Sequence, residues 1–213
     1  MPVGQTIPYS EGVFSITFTC LEWIPLFEIA NGYDLVYRWF DCLKEDGHYI
    51  IGYTTMPNHL HSVIAFRNSG KVINKIIGNG KRFMGYEIVN RLKILQCDEM
   101  LQRLKDSVYV SDAKRGKLHE VWQDSFDWKV CDSDELIIEK LDYLHMNPCK
   151  GKWNLVKEPA EYVHSSAKYY LTGEQGIYPV THYMQLHDID LTATASPLRE
   201  ARLGKRIPPA SLW

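Results

Sequence analysis

Over residues 13–20 apolar and polar side chains alternate, with Phe14, Ile16, Phe18 and Cys20 set against Ser15, Thr17 and Thr19. A period of two sends successive side chains to opposite faces, so this stretch predicts a half-buried strand with Phe14 facing inward. From Asp34 the spacing becomes helical: Leu35, Val36, Trp39, Phe40 and Leu43 share one side, and Gly47 supplies a stop. Tyr49–Met56 and His59–Phe66 predict two further strands. Pro57-Asn58 between them is turn chemistry, so the pair should run antiparallel. After Asn68-Ser69-Gly70 the helical period returns, with Val72, Ile73, Ile76 and Ile77 as the inward set.

Residues 98–117 are strongly charged and predict a helical or loop excursion, and residues 119–130, rich in Val and aromatics, read as a strand-like piece. Asp132 or Ser133 then caps a helix whose first turn carries Asp134 and Glu135, and Pro148 must end it. Alternating strands and helices with one tight antiparallel pair predict a small α+β domain. We expect one domain over residues 1–173 and a C-terminal tail over 174–213, docked or mobile, whose stretch 199–209 is basic and contains proline.

A chain of 213 residues can bury a proper core without staples. Hydrophobic residues at 45% and charged ones at 23% are ordinary for a soluble globular protein, and no apolar run approaches a membrane span. The start shows no secretory pattern, so a cytoplasmic location is expected. Five scattered cysteines without a C-x-x-C pair argue against a disulfide framework or a zinc ribbon. A net charge of -2 counts against a wholly basic nucleic-acid-binding domain. Any such surface must be local, and Lys71, Lys75, Lys81, Arg82, Arg91 and Lys93 on the long helix are candidates for it, or for an ordinary solvated face.

Two places hold candidate chemistry. His59 and His61 stand at i and i+2 of a strand, hence on one face, where two imidazole nitrogens converge without a special loop. The spacing alone does not name an enzyme. A metallo-β-lactamase-like hydrolase would continue with Asp-His, whereas here Ser62-Val63 follows. A TIM-barrel amidohydrolase needs a longer chain, and a cupin an all-β one. In the helix that Pro148 ends, Ile137, Leu141 and Leu144 form the core stripe, Tyr143 lies off it, and Asn147 stands one turn after Tyr143 on the same side. With 13 tyrosines in the chain, that spacing alone is weak.

Taken together, Met56-Pro57-Asn58-His59-Leu60-His61 and, further on, Leu141-Asp142-Tyr143-Leu144-His145-Met146-Asn147-Pro148 resemble the single-tyrosine HUH transposases. The resemblance is to the insertion-sequence single-strand transposases, in particular their REP-associated tyrosine transposase branch. It runs from Val13 to about Thr172, through the helix ending in Lys81-Arg82-Phe83, through Val121-Trp122-Gln123, and through Glu161-Tyr162 with Ser165-Ser166-Ala167. It implies a ferredoxin-like antiparallel sheet with helices packed on it, the HUH endonuclease fold, with the histidines on a central strand. It implies Tyr143 as nucleophile and His59, His61 and Asn147 as ligands of a divalent metal, Mg²⁺ or Mn²⁺; many members have Gln where Asn147 stands.

The implied activity is transposition: cleavage and rejoining of single-stranded or hairpin DNA through a covalent 5′-phosphotyrosine. Tyrosine, with an ordinary pKa of about 10, then needs an electrophile sharpened by the metal. Glu139, one turn before Tyr143, is either a helper or a solvated glutamate; His145 points away. Lys75, Lys81 and Arg82 are the candidate DNA contacts. A homodimer exchanging the tyrosine helix is compatible with the resemblance. The alternatives are a transposase-derived DNA-binding protein that no longer cuts, and a metal-dependent hydrolase unrelated to DNA.

Overall fold

A computed structural model describes residues 6–124 and 126–193. Four strands, β1 (Gly12–Thr19), β2 (Tyr49–Met56), β3 (His59–Phe66) and β4 (Asp127–Val130), form one sheet in the order β2-β3-β1-β4. Every pairing is antiparallel. The helices are α1 (Leu26–Ile29), α2 (Tyr33–Glu45), α3 (Ile73–Ile94), α4 (Asp98–Asp106), α5 (Val110–Ala113), α6 (Asp134–Met146) and α7 (Ala167–Thr172). With α2 between β1 and β2, and α3 between β3 and β4, the order and connections are ferredoxin-like, as the resemblance implies.

The alternation in β1 decides which residues face which layer. Phe14, Ile16 and Phe18, with Leu60, Ile64 and Phe66 of β3, face α2 and α3 in the main core. Phe18 meets Trp39 and Trp122 edge-on at 5.7 and 5.3 Å between ring centroids, a favoured aromatic geometry. The two helices approach closely at Gly80, where a Cβ would come within 2.3 Å of the Trp39 indole nitrogen. Residues of opposite parity, Val63 and Ala65, face the other layer, where α6 packs through Ile137, Leu141 and Leu144.

The helix α6 starts where expected, Ser133 accepting a hydrogen bond from the Leu136 amide at 3.3 Å. It lies hard against β2: a Cβ on Gly52 would stand 2.3 Å from a Leu141 methyl group. A polar tie adds to this contact, because the Ser166 hydroxyl accepts from the Tyr53 amide at 2.9 Å and lies 2.8 Å from His145 Nε2. His145 is buried, turned away from Tyr143, and its pKa is pushed down to about 4 by that burial. Residues 164–166 also run along the outer edge of β2, with the Thr55 amide bonded to the His164 carbonyl and Thr54 bridged to Ser165. They cover what would otherwise be an open sheet edge.

Two expectations change. Only Asp127–Val130 of the strand-like stretch 119–130 is a strand; Trp122 makes an isolated bridge to Cys20, and its indole enters the core instead. Val72 precedes α3 and is exposed, because the helix begins one residue later. Beyond Gly173, Tyr178 and Val180 are buried in the main core, and the Tyr178 hydroxyl donates to Asp41 at 2.8 Å, which is the docked arrangement of the two expected for this stretch. The basic stretch 199–209 lies outside the described residues.

Candidate functional site

The histidines stand at the start of β3, directly across from residues 17 and 19 of β1. His61 faces Thr17, and the Thr17 hydroxyl lies 2.6 Å from His61 Nδ1. His59 Nδ1 lies 2.6 Å from Asn58 Oδ1. The Asn58 amide has a fixed sense, since its Nδ2 donates to the Trp23 carbonyl at 3.0 Å. Its oxygen therefore accepts from His59 Nδ1–H, and the lone pair of His59 is left on Nε2. The Thr17 hydroxyl occupies Nδ1 of His61 in the same way, which leaves Nε2 as the ring nitrogen without a protein partner. Neither Nε2 has a hydrogen-bond partner among the described residues.

Both rings are held neutral. Burial pushes the His59 pKa down to about 4, and burial followed by the neighbouring His59 pushes His61 down to about 3. A neutral ring with one nitrogen bonded to an oxygen and the other open is the state in which histidine binds a metal. The two ring centroids are 4.7 Å apart.

The helix α6 brings Tyr143 to the same place. Its core stripe turns inward, leaving Tyr143 62% exposed, with its ring edge-on to His61 at 5.4 Å between centroids. Asn147 follows one turn later, at the C-terminal cap of α6, half-buried and with no side-chain hydrogen bond among the described residues. Pro148 then forces the chain into a 3-10 turn. Among the described residues, no group of three or more His, Cys, Asp and Glu is placed to hold a metal. The nitrogens this face offers are those of the two adjacent imidazoles. Glu139 is exposed and pairs with Lys140.

The three cations expected to contact DNA do not join this face. Lys75, Lys81 and Arg82 lie on α3, across the sheet from the histidines. Lys75 and Arg82 are exposed. Lys81 is half-buried, donates to the Gln123 carbonyl at 3.2 Å, and has its pKa pushed down to about 8, chiefly by burial. Lys81 and Arg82, with Tyr86, Lys93 and Arg115, line a cavity of about 690 Å³ between α3 and residues 112–124. Other expected members of the basic face serve structure: Arg91 forks onto both Asp34 oxygens at 2.6 and 2.7 Å, and Lys71 pairs with Asp46.

Several residues at the site do not stand out in the sequence. Thr17 and Asn58 orient the imidazoles, and Trp23 stands edge-on to His59 at 5.7 Å. Asn58 sits in the Met56–His61 motif, but its partner Trp23 is 35 residues away. Thr17 could be found only from the β1–β3 register.

Fold and site together define an α+β domain with a ferredoxin-like sheet, paired helices on one face, and a tyrosine and two histidines on the other. Among solved structures the fold matches a REP-associated tyrosine transposase bound to a REP hairpin, with a TM-score of 0.54 and 16% identity, covering 92% of this chain and 96% of that one. A candidate transposase from Deinococcus radiodurans R1 aligns at a TM-score of 0.35 and 16% identity over 67% of this chain and 95% of that one, and carries no further argument. No family model and no curated protein matches the sequence. Among the described residues no helix is long and apolar enough to cross a membrane.

Proposed function

We propose that this protein is a transposase that cuts and rejoins single-stranded or hairpin DNA through a covalent bond between Tyr143 and a 5′-phosphate. The observation that carries this reading is the unbroken contact of Tyr143 with His61 and of His61 with His59, both imidazoles being neutral and open at Nε2. His59 and His61, with Asn147, would hold a divalent cation, Mg²⁺ or Mn²⁺, whose contribution when bound is to withdraw charge from the phosphate oxygens. Neutral ligands suit that task, because carboxylates would cancel part of the charge.

The remaining steps belong to the chain. Tyr143 presents its phenol to solvent on a rigid helix, so a strand can approach it without a lid opening. Attack forms the bond from the phenolic oxygen to phosphorus and breaks the bond to the 3′-oxygen; the phenolic proton passes to water, and the departing oxygen takes one up. The phosphotyrosine conserves the phosphodiester, so a 3′-hydroxyl can attack it and restore a strand. Lys75, Lys81 and Arg82, on the opposite face, are assigned to flanking or stem phosphates rather than to the scissile one. The fold shared with a transposase seen on a REP hairpin supports DNA as the substrate class.

The test is incubation with labelled hairpin and single-stranded oligonucleotides and Mg²⁺ or Mn²⁺. A protein–DNA adduct that survives denaturation, and disappears in Tyr143→Phe, is expected. Binding without any adduct would instead mark a transposase-derived protein that no longer cuts.

A further inference from the structure

Trp23 lies just beyond the site and has no part in the chemistry above. Its indole is 51% exposed, although tryptophan is usually well covered. It is also held there at some cost. Glu22 and Trp23 are consecutive non-glycine residues at φ 49° and 59°, a left-handed conformation that persists only where surrounding contacts impose it. Those contacts come from several elements: the Leu21 amide donates to the Val121 carbonyl at 2.8 Å, the Trp23 amide to the Cys20 carbonyl at 3.1 Å, and Arg103 of α4 pairs with Glu22. The Trp23 carbonyl accepts from Asn58, the side chain that also fixes His59. The backbone that carries the indole is therefore fixed, and the indole itself is exposed and edge-on to His59.

Four rings stand in sequence: Tyr143, His61, His59 and Trp23, with centroid separations of 5.4, 4.7 and 5.7 Å. Of these rings Tyr143 meets His61 and Trp23 meets His59, so the two flank the histidine pair. In an in-line displacement at phosphorus the attacking and leaving oxygens are on opposite sides. With Tyr143 attacking, the departing 3′-oxygen points towards the Trp23 end. We propose that Trp23 is the stacking platform for the base immediately 5′ of the scissile phosphate, retaining the cleaved 3′-end for rejoining. This inference rests on the strand-cleaving function proposed above. Stacking suits the position because every base has a π-face, so the platform holds the end whatever its sequence.

The experiment measures equilibrium binding in the Tyr143→Phe background, so that nothing is cut, using the oligonucleotide that the unsubstituted protein cleaves. Trp23→Ala should weaken binding by about tenfold, and Trp23→Phe should recover most of it. An abasic site 5′ of the cut should weaken binding to the Trp23 protein by a similar factor and leave Trp23→Ala unaffected; an abasic site 3′ of the cut should show no such coupling. Unchanged affinity in Trp23→Ala, additive losses, or coupling to the 3′ nucleotide would each overturn the platform while adduct formation keeps the functional reading intact. Absence of both adduct and DNA binding would remove that reading, and the platform with it.

Discussion

The two faces of the sheet are built from the same strands and do opposite things. Facing α2 and α3, Phe14, Ile16, Phe18, Leu60 and Ile64 are at most 1% exposed and interlock with Trp39, Phe40 and Trp122. Facing α6, the neighbours of those residues include Thr17, His59 and His61, and α6 covers Val63 and Ala65 while leaving Tyr143 in solvent. One face supplies the apolar burial that stabilises a domain of this size. The other can then tolerate polar side chains whose nitrogens find no protein partner. Stability and chemistry are separated by the pleat, one residue apart.

That separation is open to disruption from either side. On the packed face Phe18→Ala should cost about 3–5 kcal/mol, because it removes the ring between Trp39 and Trp122 and the surrounding aromatics can close the space only in part. Tyr143→Phe, on the open face, should leave stability unchanged in the same denaturant titration. Equal losses in the two variants would mean that the faces are not separate in this way.

Between these extremes lies the shell around the histidines. Thr17→Val keeps the side-chain volume and removes the oxygen 2.6 Å from His61 Nδ1, so the ring loses its fixed orientation. Mn²⁺ affinity should fall by about 10- to 100-fold, with little change in stability, as read by calorimetry and thermal unfolding. Retained Mn²⁺ affinity would show that packing alone orients the ring.

Acid reports on both faces at once. Burial holds His48, His59 and His145 neutral to about pH 4, and His61 to about pH 3. In the unfolded chain these rings take up protons near pH 6.5. Between those limits the unfolded state binds more protons, so stability is highest above pH 6.5 and declines as the pH drops towards 4. His145→Gln, which retains a polar partner for Ser166 but does not titrate, should make that decline shallower by up to one proton. A decline of unchanged steepness would mean that His145 is protonated in the folded protein.

The smallest effect is expected behind the sheet. Charge reversal at Lys75 and Arg82 together should weaken hairpin binding and lower its salt dependence by about two counterions, while the rate of adduct formation on saturating DNA is unchanged. A changed rate at saturation would place these cations at the scissile phosphate after all.

Much of this arrangement was legible in the sequence, for definable reasons. The strands β1, β2 and β3 announce themselves through alternation and a Pro-Asn turn, and α6 through a serine cap, an acidic first turn and a closing proline. His59 and His61 share a face by the period of the strand alone. Tyr143 needed the resemblance, since nothing local separates it from the other tyrosines. The residues that tune the site were hidden because they depend on contacts distant in sequence. Thr17 meets His61 through strand register, Trp23 meets His59 through Asn58, and Ser166 secures α6 through His145. Formal charge does not show which cations near the long helix are already paired: Arg91 and Lys71 serve Asp34 and Asp46. The 119–130 stretch misled because its valine and tryptophan pack as loop residues into the core rather than as a strand.

The central claim is that Tyr143 is the residue that takes the DNA strand. After reaction with a short oligonucleotide and Mn²⁺, proteolysis and mass spectrometry of the adduct would locate the nucleotide on one peptide. The account predicts a 5′-phosphate on Tyr143 and on no other tyrosine; a nucleotide on a different side chain, with Tyr143 unmodified, would contradict it.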